Sequence, residues 1–107
     1  MYPREKQTLK KIAARLKKDL PDRIVSVHAF GSRVRGNHNA WSDFDVLVVV
    51  HNKNPEIEAS IIEIFVEEET KSDLSFIPVI KDAKAFELER RFHTPFFDNI
   101  VREGVAL

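Results

Sequence analysis

The sequence predicts a small α/β domain with a mixed β-sheet and helices packed on it, and three observations carry that prediction. Residues 44 to 50 form a near-continuous run of valine and leucine behind Phe44, the pattern of a central strand covered on both faces. The apolar stretch before it is joined to it by about a dozen residues without room for a full helix, so those two strands pair antiparallel. The apolar stretch after it is reached through a helix of some sixteen residues, a crossover that implies parallel pairing.

Each element has its own signal. Leu9, Ile12, Ala13, Leu16 and Leu20 recur at helical spacing between Pro3 and Pro21, which predicts a helix over 4 to 20. Residues 24 to 30, rich in β-branched side chains and stopped by Gly31, read as the first strand. Residues 31 to 42 hold two of the three glycines and, apart from Val34 and Ala40, no aliphatic side chain; they read as a loop with one helical turn after Ser32. Beyond the second strand, residues 51 to 55 turn the chain, and Ile57, Ile61, Ile64 and Phe65 stripe a helix running to about Thr70. Asp73 to Ile80 reads as the third strand, with Pro78 placing its far end at a sheet edge or outside the hydrogen-bonded ladder. Phe86, Leu88 and Phe92 predict a helix over 82 to 92. A short last helix begins at Thr94-Pro95, where the threonine caps and the proline fits the first turn, and Gly104 ends it.

With 107 residues and 43% hydrophobic side chains, one core is the expectation, so residues 1 to 107 are read as a single domain. There is no cysteine, so any metal must be held by oxygen or imidazole, which favours hard cations such as magnesium. No apolar run has the length of a membrane span and the N-terminal stretch is charged, so a cytoplasmic protein is expected. Basic and acidic side chains balance at 17 each and give no argument for a nucleic-acid or membrane partner. Their distribution is uneven: residues 1 to 23 carry eight basic against three acidic side chains, and residues 54 to 70 carry six glutamates and no base. Such runs are ordinarily the solvated faces of helices.

The predicted pairings place a site. The end of the first strand at Gly31 lies beside the start of the second at Asp43 and Asp45, and a parallel third strand would begin with Asp73 at that same edge. Asp43 and Asp45, two residues apart, project to the same face. Two carboxylates that close repel unless one is protonated or a cation lies between them. A third carboxylate tips the choice toward a metal, since magnesium takes one or two carboxylates per ion together with water and phosphate oxygens.

Gly31-Ser32, ten intervening residues and then Asp43-Phe44-Asp45 at the head of an apolar strand resemble the signature of the DNA polymerase beta-like nucleotidyltransferases. Ser42 before the aspartates and Gly36 within the loop extend the match. In length and element order the chain is similar to the minimal nucleotidyltransferases, or MNT proteins. That resemblance implies an α/β nucleotidyltransferase fold and a two-metal displacement that moves a nucleoside monophosphate, AMP from ATP being the leading case, to a hydroxyl acceptor. It implies that Asp43 and Asp45 bind both magnesium ions, and that Asp73 holds the ion activating the acceptor and could take its proton. Gly31 would allow the phosphates to approach the backbone, Ser32 would donate to them, and Arg33 and Arg35 are candidates for neutralising their charge; Ser42 is a candidate nucleotide contact. It also implies a HEPN-domain toxin as partner, with the chain as its antitoxin. The alternative is a binding module that neutralises that partner by contact with little catalysis; transfer to a small molecule such as an aminoglycoside ranks below both, for want of a second domain to form the pocket. The sequence leaves the base preference and any homo-oligomer open.

The remaining candidates have plainer readings. His38 reads as a loop histidine, Trp41 as a loop pin, His28 as a strand residue with a satisfied side chain. Phe86, Phe92, Phe96 and Phe97 read as core, with some of that set available as a partner surface.

Overall fold

The computed structural model describes residues 1–35 and 43–107, with the side chains of Ser32 and Arg35 outside that description. In chain order the described elements are α1 (Pro3–Asp19), β1 (Ile24–Phe30), α2 (Ser32–Arg35), β2 (Phe44–Val50), α3 (Pro55–Ser72), β3 (Phe76–Asp82), α4 (Ala83–Phe92), α5 (Pro95–Glu103) and β4 (Val105–Ala106). The four strands form one sheet in the order β3-β2-β1-β4. β1 runs antiparallel to β2 and to β4, and β2 parallel to β3. The mixed sheet expected from connection lengths is therefore the observed one, and β3, which contains Pro78, is an edge strand.

The apolar run of β2 is explained by two helical layers. Phe44, Val46, Val48 and Val50 face one layer, where they meet Leu9, Ile12 and Leu16 of α1 and Ile57, Ile61 and Phe65 of α3. Leu47 and Val49 face the other, against Ile100 of α5 and the half-buried Phe30, Val79, Phe86 and Phe96. Each layer removes apolar area from water at about 25 cal/mol per Å², and the alternation of β2 divides its side chains between them. Among the described helices none is long and apolar enough to cross a membrane.

Ion pairing seals the first layer. Glu68 of α3 is 2% exposed and accepts from Arg15 of α1 at 3.0 Å, with Lys11 and Lys71 at 3.9 and 3.8 Å. Part of the basic run of α1 and part of the acidic run of α3 thus face each other. Arg15 also bonds Glu67 and Asp19, and these carboxylates raise its pKa above the ordinary arginine value.

The bounds of β3, which runs to Asp82, and the presence of β4 differ from expectation. β3 begins at Phe76 instead of Asp73, because α3 continues to Ser72 and Asp73 takes a left-handed cap conformation (φ 58°, ψ 18°), its N–H donating to the Glu69 carbonyl. The turn is held on both sides: Ser72 Oγ accepts from Leu74 N–H, and the Glu69 carboxylate accepts from Phe76 N–H at 2.8 Å. β4 was not expected; two residues are too few to show a period, and its pairing with His28 and Ala29 depends on where α5 ends.

The start of α3 depends on Asn54, whose side chain accepts from Ile57 N–H at 2.9 Å. Asn54→Ala is expected to cost about 1 kcal/mol, which for a domain of this size lowers Tm by about 4–8 °C. Thermal melts followed by circular dichroism check this; Asn54→Ser, which can cap equally well, is expected to restore most of the loss.

Candidate active site

β2 begins at the open end of the sheet. Phe44 N–H donates to the Ser75 carbonyl at 2.8 Å, opening the ladder to β3, and Asp45 lies in register with Phe30 of β1 and Ile77 of β3. Phe44 is fully buried under α1 and α3, so alternation turns Asp43 and Asp45 to the opposite face of the sheet. Along β2 the apolar side chains of the α4 and α5 layer end at Leu47, and Phe30, in register with Asp45, packs edge-on against Phe96 of α5 with ring centres 5.5 Å apart; Asp43 is exposed and Asp45 half-buried.

Gly31 is built against this pair. Its φ is +88°, a conformation that side chains rarely adopt, and a Cβ placed on it would lie 2.2 Å from Asp45 Oδ2 and 3.2 Å from its Cγ. The turn after β1 therefore approaches the Asp45 carboxylate more closely than any other residue type allows. Gly31 and the aspartate pair, twelve or more residues apart in sequence, are neighbours in space. The helical turn α2 follows directly, with the Val34 N–H donating to the Gly31 carbonyl at 3.2 Å.

Arg33 lies elsewhere than a phosphate ligand would be expected. It is 5% exposed, its guanidinium donates to Glu5 of α1 at 2.5 Å, and it sits 4.3 Å from the centre of the Phe44 ring. Glu5 and Phe44 as its partners escaped the sequence reading; the only signal for Glu5 is an acidic residue in the first turn of α1.

Asp73 is at the same end of the sheet but in a different setting. As the exposed cap of α3 it lines a cavity of about 610 Å³ between α1 and α3, together with Glu5, Lys11, Glu68 and Lys71. Among the described residues no three acidic or imidazole side chains come together closely enough to hold a metal ion. The geometry thus gathers Gly31, Asp43 and Asp45, while the expected convergence of three carboxylates is absent from the described arrangement. Ser42, Gly36, His38 and Trp41 lie outside the described residues, as do the side chains of Ser32 and Arg35.

His28 stands opposite Leu47 on β1, and burial lowers its pKa below the ordinary 6.5. A folded-state pKa below the unfolded one means that the unfolded chain takes up a proton first as pH falls. The stability contributed by neutral His28 is present above pH 6.5 and is lost as pH falls from there through the folded pKa. His28→Gln is expected to flatten the stability profile over that window, measured as urea midpoints at pH 7.5, 6.5 and 5.5.

The sequence matches the model of the family described as "Nucleotidyltransferase domain" over residues 9–100. The chain belongs to the nucleotidyltransferase domain family. No curated protein matches it significantly. Among solved structures, this nucleotidyltransferase domain is similar to a candidate nucleotidyltransferase from Sulfolobus solfataricus, with 19% identity, a TM-score of 0.56, and coverage of 94% of this chain and 76% of that one. It is similar to a chain of a toxin–antitoxin structure with AMP-PNP at 17% identity and a TM-score of 0.57, covering 91% and 70%. A mutant of the toxin–antitoxin pair MntA-HpeT matches at 18% identity and a TM-score of 0.55, covering 92% and 70%. At these identities the solved structures establish the shared fold, and the family match adds the nucleotidyltransferase assignment.

Proposed function

We propose that this domain transfers a nucleoside monophosphate, AMP from ATP, to a hydroxyl on a partner protein, and that the partner is a HEPN-type toxin which the chain restrains as its antitoxin. The observation that carries the reading is the placement of Asp43 and Asp45 on one face at the head of the central strand, with the Gly31 backbone pressed against Asp45. The toxin–antitoxin structures of similar fold, one of them with AMP-PNP, support a toxin as partner and ATP as donor; the HEPN type rests on the family resemblance.

The donor set fits magnesium: two carboxylates offer hard oxygen ligands and leave positions for water and phosphate oxygens. When bound, two such ions would activate the acceptor hydroxyl and neutralise charge on the leaving pyrophosphate. The protein's part is positional. Asp43 and Asp45 hold the metal side of the site, the bare Gly31 backbone leaves room beside the carboxylate for a phosphate chain, and Ser32, with Ser42, donates to that chain. Asp73 is the acceptor-side carboxylate of the proposal, supported by the parallel β3, which brings the α3–β3 turn to the same sheet edge. Its cap position makes it separable from the pair: Asp73→Asn should slow transfer while divalent-ion binding at Asp43 and Asp45 persists.

The test is transfer of label from α-³²P-ATP to the co-purified partner with magnesium. A labelled partner, unlabelled when EDTA is added, is the expected result. A partner that is neutralised with no label from any nucleotide triphosphate would instead establish the contact reading. That second reading has its own observation, the apolar side chains left on α4 and α5: Phe92 is 77% exposed, Val101 68% and Leu88 49%.

A further inference from the structure

Arg33 occupies a position at odds with a role on the triphosphate. Its side chain enters the layer formed by α1 and α3, the face of the sheet opposite the aspartate pair, and is almost fully buried there. That places the guanidinium on the far side of the sheet from Asp43 and Asp45. There it bonds Glu5 and lies over the Phe44 ring. Glu5 is itself anchored, its other carboxylate oxygen accepting from the Tyr2 N–H at 3.0 Å, with a side-chain exposure of 12%. Phe44 is fully buried and is the residue between the two aspartates. One side chain therefore ties together the turn after Gly31, the start of α1 and the middle of the Asp43-Phe44-Asp45 segment.

A buried Arg–Glu pair is seldom the most stable way to fill such a space, because desolvating both charges offsets most of their attraction. Its value lies in direction. The guanidinium carbon lies over the ring, 4.3 Å from its centre, and the charged bond to Glu5 holds it there, so the guanidinium braces Phe44 and with it the backbone that carries both carboxylates.

Resting on the metal-binding reading of Asp43 and Asp45, we infer that Arg33, held by Glu5, is a positioning residue that sets the geometry of the aspartate pair through Phe44 and makes no contact with the nucleotide. Groups behind metal ligands typically change metal affinity by about 10–100-fold when removed.

The test uses Mn²⁺ as the probe, with affinity read from electron paramagnetic resonance without turnover, and KM for ATP measured separately. Arg33→Met, Glu5→Gln and the double variant are each expected to weaken Mn²⁺ binding by about tenfold and lower kcat in proportion, with KM for ATP changed less than about threefold. Because the two residues act as a unit, the double variant should be no worse than Arg33→Met. The inference is overturned if Arg33→Met raises KM for ATP tenfold or more while Mn²⁺ affinity holds and Glu5→Gln is silent, the pattern of a direct phosphate contact. Should Arg33→Met fail to fold, Glu5→Gln decides alone: unchanged Mn²⁺ affinity overturns the inference. Wild-type protein that binds no Mn²⁺ would mark the failure of the metal site itself, a result distinct from any variant's behaviour.

Discussion

Asp45→Asn is expected to lower magnesium-dependent nucleotidyl transfer by about 10³-fold while leaving the far-UV circular dichroism spectrum unchanged. The magnitude is that of removing one preorganised electrostatic group from a charge-transferring site. Asparagine keeps the shape of the side chain but loses the charge, so the substitution separates chemistry from packing. Asp45 lies in the ladder between Phe30 and Ile77, where an isosteric amide fits without moving either strand. Divalent-ion titration and label transfer on the same preparation check the result. Retention of transfer within tenfold of wild type would remove Asp45 from the metal site. The same substitution separates the two readings of the proposed antitoxin role, since neutralisation by contact survives it and neutralisation by nucleotidyl transfer does not.

Gly31→Val is expected to damage both stability and activity. A φ of +88° is strained for any L side chain and most for a β-branched one, at about 1–2 kcal/mol. The new Cβ would also lie 2.2 Å from Asp45 Oδ2, so the carboxylate must rotate away or the turn must open. A total cost of about 2–3 kcal/mol corresponds to a fall in Tm of at least about 8 °C. Mn²⁺ affinity should fall with it, because the displaced group is a proposed ligand. Urea denaturation and Mn²⁺ titration at a temperature where the variant is folded distinguish the two losses. Full Mn²⁺ affinity in a folded Gly31→Val protein would show that Asp45 has another rotamer available for the metal.

The candidate site was readable from the sequence where local chemistry and strand geometry coincide. Gly31 is marked by ending a β-branched run, and Asp43 and Asp45 by alternation at the head of an apolar one; neither inference needs a distant contact. Asp73 is different. Its placement depended on where α3 stops, and the choice between one more helical turn and an earlier strand was made by Glu69 and Ser72 bonding the N–H groups of the turn. Those bonds are side chain to backbone, and no hydrophobic period announces them.

Arg33 shows the same limit from the other side. A basic residue beside a Gly-Ser turn invites a phosphate, and the sequence alone offers nothing to oppose that reading. The opposing fact is Glu5, which reaches Arg33 only once α1 has packed across the sheet.

The order of elements, the mixed pairing and the central position of β2 follow from apolar periods and connection lengths, both properties of the chain as written. The direction Arg33 faces, the capped turn at Asp73 and the β4 pairing were decided in the folded molecule. The first and last depend on groups tens of residues apart coming within a few ångströms, which packing selects, and the turn depends on side-chain-to-backbone bonds that no apolar period marks.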